Sequence, residues 1–532
     1  MQIVRAGVLV VVLLSAIAAL YGQFLGNPMV FDDRPFFNIN DVGRQLVDSF
    51  RYSPFELRSL PYATLAWGKA AFGMKMLHFR VENLLLHGAV TITLFFFLAR
   101  LFDVIYGPRA DTLLNYRTLA FCAALLFALH PVAVYAAGYL VQRTIVMATL
   151  FSLLAMLTYL HGSVRHKPLW LWASVPLYYL AVFSKEHAIM LPTVLLALTV
   201  LLHDDWRAKL RQRWGVFGAL ALIAVFVIAA KKGMLGSVYE PLALEMLDVE
   251  SNLNYPLSVL TQSWLFFKYA GLWLFPSPAW MSVDMREPFA QSLTSPYLLA
   301  LAGFIVWGVG AFWLLVKRGR AGLAGLAMLF PWLMFMTEFS AVRIQESFVL
   351  YRSYLWAAGA CCLLPTLLDL LDKRMASIIV AAVALAMFPV SMERLSSFGH
   401  SLILWNDAEK LVKDRPGLPG VYRIYHNRGT EFINTDEYDL AIKDLTLAIA
   451  LQPNWPFSYS HLGTAYAKKG DWRAAVDAFT QAIEIADRKK MGVSPRPYYG
   501  RAMAYEFLGE TEKSKLDYHV TCKVARKGCD KL

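Results

Sequence analysis

Twelve stretches of roughly twenty mainly apolar residues dominate the chain, at about 3–22, 78–102, 117–136, 140–160, 168–184, 187–203, 215–230, 257–276, 297–316, 321–340, 354–371 and 375–391. A helix of about 20 apolar residues matches the hydrocarbon thickness of a bilayer. Only structures that satisfy their own backbone hydrogen bonds can sit there, so the expectation is a polytopic helical membrane domain over 1–391. No such run exists in 392–532, where charges recur every few residues. The whole is expected to be all-α. Of the 532 residues, 57% are hydrophobic and 17% charged, against about 45–50% and about 25% in soluble domains. Those values exclude an ordinary soluble enzyme and a disordered tail protein. Five cysteines are too few for a disulfide framework. The first run is long, and Gly22-Gln23-Phe24 lacks the small residues of a cleavage site, so an uncleaved span is expected.

Lys and Arg in short loops set orientation. Basic turns occur at Arg100, Arg109 and Arg117, at Arg165 and Lys167, at Arg207 to Arg213, at Lys317 to Arg320, and at Lys373 and Arg374. Placing all five in the cytoplasm puts the N-terminus inside and the loop 23–77 outside. It also requires 257–276, which carries Gln262 and Lys268 and ends in Pro276-Ser277-Pro278, to be re-entrant or interfacial. About eleven spans then remain, and the polar tail lies outside. Lys231 and Lys232, at an outer end, run against the rule. The net charge of +12 is thus expected to report basic turns, not a nucleic-acid partner.

The tail repeats itself. Tyr425, Gly429, Phe432, Tyr438, Ala441, Leu445, Ala448 and Pro453 recur as Tyr459, Gly463, Tyr466, Trp472, Ala475, Phe479 and Ala482. Gly429 to Gly463 is 34 residues, the period of a tetratricopeptide repeat, or TPR. Repeats are expected at about 422–455, 456–489 and, after an insert around 491–497, 495–528. Small residues mark where paired helices touch, and aromatics fill the space between stacked units. Such arrays bind peptides or proteins. Cys522 and Cys529 are seven apart, and either a disulfide or two free thiols fits that spacing.

Polar residues beside spans are costly and point to function. Four clusters fall on the outer side of this topology. Asp32-Asp33 follows the first span; an acidic pair at a membrane surface suits a general base, a metal or a plain solvated loop. Asn83 and His87 share a helical face with Phe79, as acceptor contacts or packing hydrogen bonds. His130-Pro131 and Gln142-Arg143 bracket a short outer segment, where an arginine can grip a phosphate through two N–H groups. Lys185-Glu186-His187 separates two spans, and Glu346, Tyr351 and Arg352 follow later. Carboxylates that activate a hydroxyl, together with cations that receive a phosphate leaving group, are what transfer from a lipid phosphate requires.

In order along the chain, these residues form a familiar pattern. The pieces are Phe31-Asp32-Asp33, Leu60-Pro61-Tyr62, Phe79 to His87, Ala128 to Val132, Ser184 to Ile189 with Leu191-Pro192, Met281 to Asp284, Glu346 to Tyr354, and Leu404-Trp405 to Ala408. The chain resembles the transmembrane and TPR-repeat-containing O-mannosyltransferases and their bacterial relatives, enzymes of the GT-C fold. The resemblance implies a polyprenyl-phosphate sugar as donor and a hydroxyl acceptor on the non-cytoplasmic side. It implies Asp32 or Asp33 as catalytic base, and Arg143, Lys185, Glu186, His130 and Arg352 around the donor phosphate. Asn83, His87, His187 and Tyr351 are then acceptor contacts or structural support. No cofactor is expected to be required, and no metal ligands are assigned. A Ser or Thr of a protein captured by the TPRs is the expected acceptor. A cell-surface glycan or lipid acceptor is an alternative, as is a non-catalytic TPR scaffold. With a short TPR array, the resemblance points to a bacterial inner membrane protein with periplasmic TPRs. The sequence departs from the family at Val141-Gln142-Arg143 and at Val349 to Tyr354, which lacks a proline.

Overall fold

A computed structural model describes residues 2–38, 45–107, 116–230, 253–293, 296–344, 346–368 and 371–532. Arg109, Lys231 and Lys232 lie outside the described residues. Two compact units emerge. The membrane unit comprises Met1–Met29, Phe50–Met281 and Pro288–Gly399; the second comprises Val30–Ser49, Ser282–Glu287 and His400–Leu532. Both are helical. The segment 30–49, with the acidic pair, therefore groups with the repeats, whereas 50–77 of the same expected loop groups with the membrane unit.

In the membrane unit, among the described residues, six helices are long and apolar enough to cross a bilayer, or up to eight if each of two bent pairs counts as one span. About eleven spans were expected, and the apolar runs outside this set show local breaks or shorter helices. Pro131 follows a break after Ala128, and Tyr116–Ala128 and Pro131–Ala137 meet at 54°. Trp206–Gln212 and Trp214–Ala230 meet at 70°. The run at 354–371 divides into Ser353–Ala360, Cys361–Leu363 and Leu364–Leu368. Pro168–Ser184 and Glu186–Leu202 are each shorter than 18 residues. The run at 257–276 is one helix, Asn254–Leu274, and is not among the candidate spans.

These helices obey the packing rules of apolar solvent. Val306 and Val309 are 69% and 65% exposed on Tyr297–Lys317, as lipid-facing side chains are. Close approach comes from glycine: a Cβ on Gly162 would lie 2.8 Å from the Leu171 nitrogen, and one on Gly325 2.3 Å from the Leu315 nitrogen. Hydroxyls inside helices bond back one turn, as Thr149 Oγ1 does to the Ile145 carbonyl at 2.8 Å.

The second unit holds three helical hairpins: Val421–Asn434 with Tyr438–Leu451, Pro456–Lys469 with Trp472–Arg488, and Pro495–Phe507 with Thr511–Ala525. Helix Ser401–Val412 precedes them. The glycines set the distance within each hairpin. A Cβ on Gly429 would lie 2.8 Å from Leu445 Cγ, and one on Gly463 2.8 Å from Phe479 Cδ1. Arg428 bonds Asp444 through two nitrogens at 2.6 and 3.1 Å, and Arg501 bonds Asp517 at 2.7 and 2.9 Å. The second repeat puts apolar Leu462 and Ala478 at those places. Cys522 and Cys529 are joined as a disulfide.

Candidate functional site

The membrane unit contains a cavity of about 460 Å³ whose lining divides by chemistry. One wall is apolar, with Ala221, Ala224, Val227 and Ile228 from the helix Trp214–Ala230. The rest is charged, with Arg58, Lys185, Glu186, Arg343, Glu346 and Arg352, and with Tyr351 and His187 beside them.

Local backbone structure delivers the charges. Helix Pro168–Ser184 ends at Ser184, Lys185 is extended, and the chain turns through Glu186–Met190 before Leu191-Pro192 starts the next helix. Proline suits that first turn because its missing N–H has no partner there to lose. The turn leaves three consecutive ionisable side chains between two apolar helices. Arg58 faces them from the start of Ser59–Phe72 at φ 64°, a left-handed conformation that costs an L-residue roughly 1–2 kcal/mol. Its N–H donates to the Phe183 carbonyl at 2.6 Å. Its guanidinium holds Glu186 through two nitrogens, Nε at 3.0 Å from Oε2 and Nη2 on Oε1. That fork orients Glu186 while leaving the arginine at the cavity wall.

Lys185 is 4% exposed. Its Nζ donates to Gln142 Oε1 and Thr144 Oγ1, each at 3.4 Å, and sits 5.0 Å from the centre of the Tyr351 ring. Burial, and then the nearby charges of Arg58, Arg352 and Arg343, push its ammonium down to about 7, against the pull of Glu186. An anion in the cavity would reverse that trend.

Glu338, wholly buried, ties the other side together. Its Oε2 accepts from Arg352 Nη1 at 3.1 Å and lies 3.4 Å from Arg343 Nε; its Oε1 meets His187 Nε2 at 3.1 Å. Arg352 also donates to the Glu346 carbonyl at 3.0 Å. The cavity wall carries four cationic side chains and two carboxylates, with Glu338 behind them. With Lys185 protonated the cluster carries one positive charge more than its three carboxylates balance, which suits an anion, and arginine forks match phosphate oxygens.

Of the residues singled out in the sequence, Lys185, Glu186, His187, Tyr351 and Arg352 meet at this cavity. Arg143, Asn83, His87 and His130 do not line it. Arg143 donates to Asn83 Oδ1 at 2.7 Å, Thr64 Oγ1 at 3.1 Å and the Phe79 carbonyl at 3.2 Å, and pairs with Glu82 at 2.8 Å. Asn83 donates to the Leu140 carbonyl at 3.3 Å. His87 accepts from the Tyr354 hydroxyl at 2.6 Å and donates to the Ala128 carbonyl at 3.1 Å. His130 stacks on Trp273 at 4.2 Å, donates to its carbonyl at 3.0 Å and accepts from the Val132 N–H. These four bind helices to one another.

Asp32 and Asp33 stand in the second unit, where Phe31 packs edge-on against Trp405 at 4.9 Å. Arg34 bonds Glu431 and donates to Ser401 Oγ at 2.9 Å. Asp33 is buried and Asp32 exposed. Sequence reasoning missed Arg58, Arg343 and Glu338. An acid at the end of the apolar run 321–340 was the available signal for Glu338.

Comparison with known proteins adds two findings. The tetratricopeptide repeat family matches residues 422–454 and 458–488. The chain is 34% identical over 119 residues to the Protein O-mannosyl-transferase TMTC1 of Mus musculus. That similarity covers 22% of this chain and 11% of the mouse protein, so it links the two over a segment and not over their length.

Proposed function

We propose that this chain is an integral membrane glycosyltransferase of GT-C type that takes a polyprenyl-phosphate-linked sugar and passes the sugar to a hydroxyl, on Ser or Thr of a protein held by the TPRs. The observation that carries the proposal is the divided cavity. Its arginines and Lys185 suit a phosphate, and its apolar helix wall suits the lipid beside it. The similarity to an O-mannosyl-transferase and the TPR match support the reaction class and a protein acceptor. Asp32 or Asp33 serves as base. It takes the hydroxyl proton as the acceptor oxygen bonds to the anomeric carbon. The bond from that carbon to the phosphate oxygen breaks, the oxygen keeps the electron pair, and the lipid phosphate leaves with it. One displacement inverts the anomeric centre. The site faces away from the cytoplasm, in a bacterial inner membrane.

The test is transfer by purified full-length protein from synthetic polyprenyl-phosphate sugars to Ser/Thr peptides, read by product mass. Loss of a general base costs roughly 10²–10⁴-fold, so Asp32→Asn or Asp33→Asn should lower turnover by at least about 100-fold. Full activity in both variants would sink the mechanism.

A further inference from the structure

The third repeat is out of step with the first two. Gly429 and Gly463 are 34 apart, but the equivalent Ala502 follows Gly463 by 39. Three of the five extra residues lengthen the helix Trp472–Arg488, 17 residues against 14 in Tyr438–Leu451, and two lengthen the turn after it, where Lys490 and Gly492 have φ of 53° and 69°. This turn holds open a pocket of about 240 Å³ between the second and third hairpins. The volume is below the ~300 Å³ at which small-molecule sites begin, and suits one large side chain of a bound segment.

The lining of the pocket specifies that segment. Phe457, Ala486 and Met491 offer apolar contact, and no carboxylate is among the lining residues. Arg496, exposed at the start of helix Pro495–Phe507, brings a permanent positive charge. Its Nη1 donates to His461 Nε2 at 3.1 Å, so that nitrogen carries no proton, and the Nδ1 proton goes to Thr430 Oγ1 at 3.2 Å. The imidazole is thereby committed. Ser460 is not: it is 5% exposed, lines the pocket, and its Oγ has no hydrogen-bond partner. A buried hydroxyl left unpaired costs about 1–3 kcal/mol, which a ligand oxygen would recover.

We propose that this pocket docks a protein segment presenting a large apolar side chain next to an aspartate or glutamate, the apolar group entering between Phe457 and Met491 and the carboxylate accepting from Arg496 and Ser460. The proposal deepens the assignment of the TPRs to acceptor capture and does not depend on the transfer chemistry.

The experiment is saturation-transfer difference NMR on the detergent-solubilised full chain without donor. The probes are acetyl-Gly-Phe-Asp-Gly-amide and its Phe-Asn and Ala-Asp analogues. The Phe-Asp peptide should bind, with its ring protons most saturated, and each analogue should bind about tenfold more weakly, as loss of a charged hydrogen bond or of the anchor implies. Arg496→Gln should abolish the preference for Asp over Asn, and Ala486→Trp, which fills the pocket, should abolish ring saturation. A melting curve for each variant separates lost binding from lost folding. Equal binding of the Asp and Asn peptides, unchanged preference in folded Arg496→Gln, or no binding of any probe overturns the proposal. Because no donor is present, those results leave the glycosyltransferase assignment standing.

Discussion

Replacing Glu338 by Gln tests the architecture of the charged cavity. The side chain is fully buried and faces Arg352 at 3.1 Å, His187 at 3.1 Å and Arg343 at 3.4 Å. Gln keeps the shape and one acceptor but removes the charge, leaving two guanidinium groups without their common counter-ion. Breaking a buried pair by deleting one partner costs about 3–5 kcal/mol, because the remaining charge stays desolvated. The loss should therefore fall in that range, with a clearly lowered melting temperature in detergent. Removing Arg352 as well, in Glu338→Gln with Arg352→Gln, takes away one orphaned charge, so the double variant should lose less than the sum of the two single losses. The assay is unfolding in mixed micelles titrated with SDS, over the full double-mutant cycle. Strict additivity, or a Glu338→Gln loss under about 0.5 kcal/mol, would refute the view that Glu338 holds this cluster together.

Three further outcomes follow from groups already placed. Lys185 in the folded chain sits near 7, against an ordinary value of 10.5. Between those values the unfolded chain binds a proton that the folded chain does not, so stability should rise with pH across that window, and Lys185→Met should flatten the slope. For the same reason donor KM should increase from pH 6 to 8 as the ammonium discharges, and Lys185→Arg should remove that dependence in steady-state assays. In the repeats, Gly463→Ala puts a methyl 2.8 Å from Phe479 Cδ1. Overpacking of this kind costs about 1–3 kcal/mol, and circular dichroism melts of the full chain should show it; an unchanged melt would mean the hairpin gives way freely.

What could be seen in the sequence was whatever depends on spacing along the chain. The 34 residues from Gly429 to Gly463 express a local contact between paired helices, and they return as the hairpins built on Leu445 and Phe479. Lys185, Glu186 and His187 stood out because three ionisable residues between apolar helices are expensive anywhere. Long-range partners left no such trace. Arg58 and Glu186 are 128 residues apart, and nothing in Pro54 to Ser59 announces that Arg58 will be held there. Arg143 shows the converse: a buried arginine at a helix start reads the same whether it faces a ligand or, as here, Asn83 and Glu82. Apolar runs show where the chain can lie in a bilayer but not where a helix bends or breaks, as it does at Leu129 and Cys361.

Phe479 also has a second neighbour. Its ring lies against Gly463 within its own hairpin, and a Cβ on Gly500, in the next, would come within 2.3 Å of its Cζ. In a linear array each repeat is stabilised by itself and by its nearest neighbours only. One ring that serves two repeats couples the second hairpin to the third beside the lengthened turn. The packing of the second hairpin and the seating of the third are thus set by the same side chain, so neither can be repacked without the other.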